Sequence, residues 1–345
     1  MKAVQFMEPE VIQVNEVPDP VMKDNEVVAK VEYAGICGTD MDLLTGDMVH
    51  IKNGMTKYPI IPGHEWSGTV IKVGKDVKGF KVGDRVTADV SLGCGECPMC
   101  RKGFYNLCPN REVIGSYRNR QGAFAEKIAA PQRHLYKIPD GVSMEEAALV
   151  EPAGTAAYAV KRANITMGSK VLIMGDGPIG QLAAQFAKLN GASQVIVSGS
   201  WDEKLAVARE CGADATINYH NVDTVEEVIR LTDGGPDVII ESTGNAMAVN
   251  QAIKAVKPNG KIVFISWYTL QEIPIPMNQV IVKNLDLICT LASPNVFDAV
   301  LDYMATGKIN VKPLITHVEP LEKVSDMIKL VREKKVYRNK ILLKP

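Results

Sequence analysis

Hydrophobic and polar positions divide the chain into two regimes. Before residue 140, apolar residues alternate with polar ones at strand spacing. Residues 27–33 read as a strand. Residues 67–90 alternate β-branched side chains with turns near Gly74, Gly79 and Gly83-Asp84. No long helical period precedes residue 140. Ser143-Met-Glu-Glu146 reads as a capping box that opens a helix, and Pro152 should interrupt it before a second helical stretch runs through Lys161. From Lys170 the pattern changes. Apolar strands at 171–174, 194–198, 215–217, 238–241, 261–265 and 285–289 are separated mostly by helical periods, such as 202–211 and 222–231. This alternation predicts an α/β architecture with a doubly wound parallel sheet of about six strands. Residues 295–305 and 321–333 read as helices flanking an extended segment at 312–317.

The first of those strands carries the strongest local pattern. Four apolar residues, Val171 to Met174, run directly into Gly175-Asp-Gly177-Pro178-Ile179-Gly180. Ile179, Leu182, Ala183, Phe186 and Ala187 then repeat at helical spacing. Glycines at a strand-to-helix turn form a dinucleotide fingerprint. Gly175 permits the tight turn, Gly177 lets a pyrophosphate approach the backbone, and Gly180 lets helix and strand pack closely.

Composition adds little to this picture except through the cysteines. The chain has 345 residues, enough for two domains, and a net charge of −1. That balance points to neither nucleic acid nor an anionic membrane as partner. No stretch reaches the roughly 18 apolar residues of a membrane span, and Met1–Glu10 has no apolar core of a secretion signal, so the cytoplasm is the expected location. Four of the seven cysteines crowd into Cys94, Cys97, Cys100 and Cys108. Four thiolates at short spacing close a tetrahedral metal shell with no open position, which is a structural site. A second set is dispersed: Cys37 in GICGTD, His64-Glu65 in GHEWSG and Glu151 in VEPAG. Each residue alone also has a purely structural reading. Together they offer the mixed, open ligand set of a catalytic zinc. Cys211 and Cys289 lie in apolar patterns and read as core.

GICGTD, GHEWSG, the four-cysteine lobe, EPAG and GDGPIG occur in this order along the whole chain. In this the sequence resembles the zinc-containing medium-chain alcohol/polyol dehydrogenases, and especially their sorbitol (L-iditol) dehydrogenase branch. The resemblance implies a GroES-like β-rich catalytic domain of residues 1–150, completed by 287–345. A Rossmann dinucleotide-binding domain of 151–286 would be inserted into it. It implies two zinc ions per chain. Cys37, His64 and either Glu65 or Glu151 would hold the catalytic ion, with Asp40 orienting His64, while the four cysteines would hold the structural one. Thr39 would pass the alcohol proton outward, and Asp42 stands where the family commonly has a histidine completing that relay. Thr155 and Thr243 lie where the family approaches the nicotinamide. The implied activity is hydride transfer between a polyol or related secondary alcohol and NAD(P), with a non-polyol diol or a threonine-type substrate as the alternative. The implied assembly is a homotetramer, with a homodimer as runner-up. Where relatives carry an Arg-Tyr pair, this chain has Leu291-Ala292, so Tyr117, Arg118 and Arg120 are candidates to meet a polar, cyclic or phosphorylated polyol.

The cofactor reading runs toward NADP. NAD-specific sheets place an acid about 20 residues beyond the glycine motif, where it accepts from the adenosine ribose 2′-hydroxyl. Here that position is Gly199. Ser200, Lys204 and Tyr219 can instead serve a 2′-phosphate. On this reading, Gly199→Asp should shift preference toward NAD.

Overall fold

The computed structural model describes residues 1–268 and 272–345. It divides into two units. One comprises Met1–Glu151, Ala292–Gly307 and Ile315–Pro345, and the other Pro152–Leu291 and Lys308–Leu314. The strands of the two main sheets are, in chain order, β1 Glu26–Gly35, β2 Glu65–Val73, β3 Arg85–Ala88, β4 Lys127–Pro131 and β5 Leu135–Lys137. There follow β6 Lys170–Met174, β7 Gln194–Gly199, β8 Ala215–Asn218, β9 Val238–Glu241, β10 Lys261–Phe264 and β11 Asp286–Cys289. The last two are β12 Ile315–Pro320 and β13 Lys340–Lys344. The helices used below are α1 Gly38–Thr45, α2 Val150–Ala163, α3 Pro178–Leu189 and α4 Asp202–Glu210. Among the described residues no helix is long and apolar enough to cross a membrane.

The first unit is built on a seven-stranded sheet, ordered β12-β13-β1-β2-β3-β5, with β4 pairing β1. Its pairings are antiparallel except for β12 with β13. Inward-facing Val27, Ala29, Val31, Trp66, Val70, Val86 and Leu343 join Phe6, Ile60, Phe124 and Ile328 in one buried cluster. The alternation read from the sequence therefore becomes a half-buried sheet face. One helix was not legible there. Gly38–Thr45 forms α1, capped by Asp40, which sits at the third helical position and accepts from the Cys37 backbone N–H. Its eight residues are too few to establish a visible hydrophobic period.

The second unit holds the predicted doubly wound sheet. Its six strands run in the order β8-β7-β6-β9-β10-β11, all parallel. The central strands β6 and β9 are buried on both faces, which explains their unbroken apolar runs. A domain boundary at 286/287 would cut β11. Its parallel pairing with β10 keeps the strand in this unit, and the chain re-enters the first unit at Ala292. Pro152 does not break a helix. A short helix, Met144–Ala147, ends first, and α2 then starts at Val150 with the proline in its first turn, where a missing N–H costs nothing. The edge strand β11 also corrects the reading of Cys289, which is exposed rather than core; Cys211 is half-buried.

Candidate active site

Two segments of the first unit bring Cys37, His64 and Glu65 together. Cys37 precedes α1, and His64 and Glu65 lead into β2. One ligand atom from each lies within 4.8 Å of the others. Asp40 fixes this arrangement, though not in the way the sequence suggested. Its Oδ1 stands 3.8 Å from His64 Nδ1, too far for a hydrogen bond. Instead its carboxylate accepts from the backbone N–H of Cys37 at 2.9 Å and of Gly63 at 3.3 Å, so it ties the two ligand-bearing loops to each other.

Both candidate glutamates are buried, and they differ in their surroundings. Glu65 accepts from Lys340 Nζ through both oxygens, at 2.8 and 2.6 Å. Lys340 also donates to the Ile36 carbonyl and comes from β13, at the far end of the sequence. Glycine at position 35 makes room, since a Cβ there would lie 2.2 Å from Glu65 Oε2. Glu151 lies outside the tight cluster of three, yet close enough that its charge and that of His64 act on each other.

Burial and neighbouring charges shift the titratable groups of this pocket. Burial pushes the carboxyl of Glu151 up to about 7 and that of Asp40 up as well. Burial pulls His64 down, but the Cys37 thiol, Asp40 and Glu151 outweigh it and hold the imidazole well above its ordinary value. Cys37, His64 and Glu65 converge on one point, with Asp40, Glu151 and the buried Lys340 close enough to act on them. The donor set of sulfur, nitrogen and oxygen fits zinc.

Thr39 and Asp42 lie on α1, three residues apart and so on one helix face. Thr39 Oγ1 is 3.8 Å from Cys37 Sγ, which places its hydroxyl beside the ligand set.

The second cluster is equally well formed. The sulfurs of Cys94, Cys97, Cys100 and Cys108 lie within 4.8 Å of one another. Backbone N–H groups of Cys94 and Asn110 donate to Cys108 Sγ, and that of Cys100 donates to Cys97 Sγ. Backbone N–H donors lower the Cys94 thiol to about 6, whereas burial raises Cys100 to about 12. Four converging sulfurs already supplied with N–H donors fit a closed zinc shell.

In the second unit, the glycine motif adopts the geometry expected of it. Gly175 has φ +116°, and a Cβ on Gly180 would lie 2.0 Å from the Gly175 carbonyl oxygen. A Cβ on Gly177 would meet nothing within 4 Å, so the α3 N-terminus faces open space there, with Pro178 and Ile179 opening the helix. Tyr219 N–H donates to the Gly199 carbonyl, which ties the end of β8 to the end of β7. Lys204 lies in the first turn of α4. Thr243 donates both its N–H and its hydroxyl to the buried Glu241, which also accepts from Tyr268. Thr155 lies on α2.

One expectation fails in this unit. A Cβ at Gly199 would lie 2.3–2.4 Å from the Asp176 side chain, so Gly199→Asp is sterically blocked. Among the arginines singled out, Arg120 is committed to structure through Glu26 at 2.9 Å and the Ala129 carbonyl. Arg118 donates to the Pro109 carbonyl and stacks over Tyr117. Sequence reading missed Lys340, Glu241, Tyr268 and Asp176. Asp176 alone carried a usable signal, an acid inside the glycine motif.

Comparison with known proteins agrees with this geometry. A family model described as "Alcohol dehydrogenase GroES-like domain" matches residues 23–140, and one described as "Zinc-binding dehydrogenase" matches residues 178–306. A sorbitol dehydrogenase of Bacillus subtilis is 33% identical over 346 aligned positions, covering 100% of this chain and 97% of the relative. An L-idonate 5-dehydrogenase of Vitis vinifera is 32% identical over 86% of this chain and 82% of its own length. A zinc-binding dehydrogenase of Sinorhizobium meliloti, solved bound to NADP, superposes with a TM-score of 0.92 at 32% identity, covering 100% of this chain and 99% of the other. The motifs, the two donor clusters and these full-length likenesses converge: the chain belongs to the zinc-containing medium-chain alcohol/polyol dehydrogenases and is a zinc-dependent, nicotinamide-linked oxidoreductase.

Proposed function

We propose that this enzyme oxidises a secondary hydroxyl of a polyhydroxylated small molecule, using two zinc ions per chain. The observation that carries this reading is the Cys37–His64–Glu65 cluster, its histidine and glutamate buried and its cysteine half-buried, in a chain that also holds the glycine-motif cradle. Cys37, His64 and Glu65 would hold the catalytic ion, with Lys340 fixing the Glu65 carboxylate from behind, as ligating carboxylates usually require. Glu151 is the alternative third ligand. Cys94, Cys97, Cys100 and Cys108 would hold the structural ion.

Cys37, His64 and the glutamate would hold an ion able to supply Lewis-acid activation of the substrate hydroxyl, and a nicotinamide bound at the glycine motif would supply the hydride acceptor. The protein's own work is to hold the ligands and to remove the proton. Thr39 Oγ1 takes the proton released by the substrate hydroxyl as it passes its own to Asp42, one helical turn on. Asp42 delivers it to water. In the other unit, Gly175, Gly177 and Gly180 present backbone to the pyrophosphate, and Glu241 fixes Thr243 on the side where the nicotinamide is expected.

The sequence preference for NADP rested on the missing acid at position 199. Ser200, Lys204 and Tyr219 are its candidate phosphate partners, but the Asp176 side chain fills the space beside Gly199, so the missing acid no longer supports NADP. For assembly we propose a homotetramer, with a homodimer as runner-up. Support comes from β11, which stands at an open sheet edge, and from the neighbouring Ile281 and Val282, 67% and 83% exposed. A four-cysteine cluster arranged as metal ligands suits a reducing compartment, hence the cytoplasm.

The test of substrate class is a panel: a free hexitol, a cyclic polyol, a phosphorylated polyol, a vicinal diol and L-threonine. The proposal expects the highest kcat/KM on one of the polyols. A clear preference for L-threonine or for the diol would replace it with the alternative.

A further inference from the structure

The acid expected at the end of β7 is absent from the sequence position but present in the space. Asp176 lies inside the glycine motif, between Gly175 and Gly177. Its side chain turns toward β7 and fills the volume beside Gly199. The atoms that a Cβ on residue 199 would strike are Asp176 Cβ, Cγ and Oδ2. Oδ2 accepts from the backbone N–H of Ser200 at 2.7 Å and of Trp201 at 3.0 Å. The residue is only 9% exposed. We infer that Asp176 is the specificity-determining carboxylate of the adenosine ribose site, delivered from the glycine turn instead of from the strand end, and that it makes NAD the preferred cofactor. This rests on the reading of the chain as a nicotinamide-linked dehydrogenase.

Three features support the assignment. First, the Asp176 carboxyl lies within 2.4 Å of where a Cβ on residue 199 would be, which puts an acid at the end of β7 and explains the glycine there. Among the described residues Oδ1 receives no hydrogen bond, so it remains to accept from a ribose 2′-hydroxyl. Second, the N–H groups of Ser200 and Trp201, which could otherwise cradle a phosphate, are already spent on Oδ2. Third, the α4 N-terminus that follows carries Asp202 and Glu203 in its first turn. A 2′-phosphate would enter beside three carboxylates, with Lys204 as the cation contributed by that turn. Discrimination by repulsion of the wrong ligand is as effective as attraction of the right one.

The test is equilibrium binding, by calorimetry or tryptophan fluorescence, of NAD, NADP and 2′-deoxy-NAD to the zinc-loaded protein and to Asp176→Asn. Asparagine keeps the shape and an acceptor for the two N–H groups but removes the charge. The unmodified protein should bind NAD at least about tenfold tighter than NADP, the scale of one charge-assisted hydrogen bond. It should bind 2′-deoxy-NAD several-fold more weakly than NAD, a measurement that needs no variant. Asp176→Asn should shrink the NAD/NADP ratio by about tenfold, while a merely structural loss would weaken both cofactors alike. Removing the side chain while restoring the acid at the strand end, in Asp176→Gly/Gly199→Asp, should return the preference to NAD. Tighter binding of NADP by the unmodified protein, or a ratio unchanged in Asp176→Asn, would overturn the assignment alone. Binding of no dinucleotide would overturn the dehydrogenase reading beneath it.

Discussion

Lys340 Nζ lies 2.8 and 2.6 Å from the two carboxylate oxygens of Glu65, 275 residues earlier in the chain, and both side chains are buried. The pair joins the last strand of the first unit to the candidate metal site. Buried ion pairs stabilise little relative to apolar replacements, but removing one partner leaves an uncompensated charge. Lys340→Met should therefore destabilise the first unit by about 3–5 kcal/mol in denaturant unfolding. The double variant Lys340→Met/Glu65→Gln should recover part of that loss. Purely additive losses would show that the two side chains are not coupled.

Metal content should separate the two cysteine-bearing sites. Elemental analysis of the purified protein should give about two zinc ions per chain, one for each donor cluster. Cys37→Ser should lose one ion and turnover while keeping the melting temperature near that of the parent. Cys97→Ser should lose the other ion and melt at lower temperature, because a closed structural site contributes folding energy. Loss of activity in Cys97→Ser with unchanged stability would reverse the assignment of the two sites.

His134 gives a pH-dependent contribution to stability. Its ring is buried, and its Nε2 accepts from the Gly93 backbone N–H at 3.1 Å, so the neutral form is built in. Burial lowers its pKa from 6.5 to about 4, with the Arg133 charge adding to the effect. Because the folded value is depressed, the unfolded chain binds the proton first. The stabilisation is complete above 6.5 and lost as pH falls toward 4, by about 2–3 kcal/mol. In His134→Gln, which cannot charge, the fall in unfolding free energy between pH 7 and pH 4 should be smaller by that amount. Parallel pH profiles for the two proteins would contradict the buried neutral histidine.

Much of this was legible because it is local. The glycine motif, the four-cysteine lobe and the alternation of strands and helices after Lys170 each fit within a short window, and the structure reproduces them. What escaped the sequence is what depends on the chain returning to itself. Lys340 has no motif to announce it, and only the pairing of β13 with β1 brings it to Glu65. The helix carrying Thr39 and Asp42 is too short to show a period. Asp176 was visible as a residue, yet its meaning lies in the space it takes from residue 199, and that requires coordinates.

The proton path through α1 predicts a rate effect without a binding effect. Thr39→Val should lower kcat by about 10²–10⁴-fold, while zinc content and dinucleotide affinity stay near parental values. Asp42→Asn should have a smaller effect and alter the pH profile of kcat, since water can take over the last transfer. Undiminished kcat in Thr39→Val would remove the threonine from the relay.

Alcohol oxidation by this chain should depend on zinc held at Cys37, His64 and a buried glutamate. The most direct measurement follows nicotinamide reduction on the best substrate of the polyol panel, before chelation, after chelation, and after zinc is restored. Turnover should be lost on chelation, return on adding zinc, and not return in Cys37→Ser. Full turnover in protein shown by elemental analysis to hold no zinc would contradict that dependence.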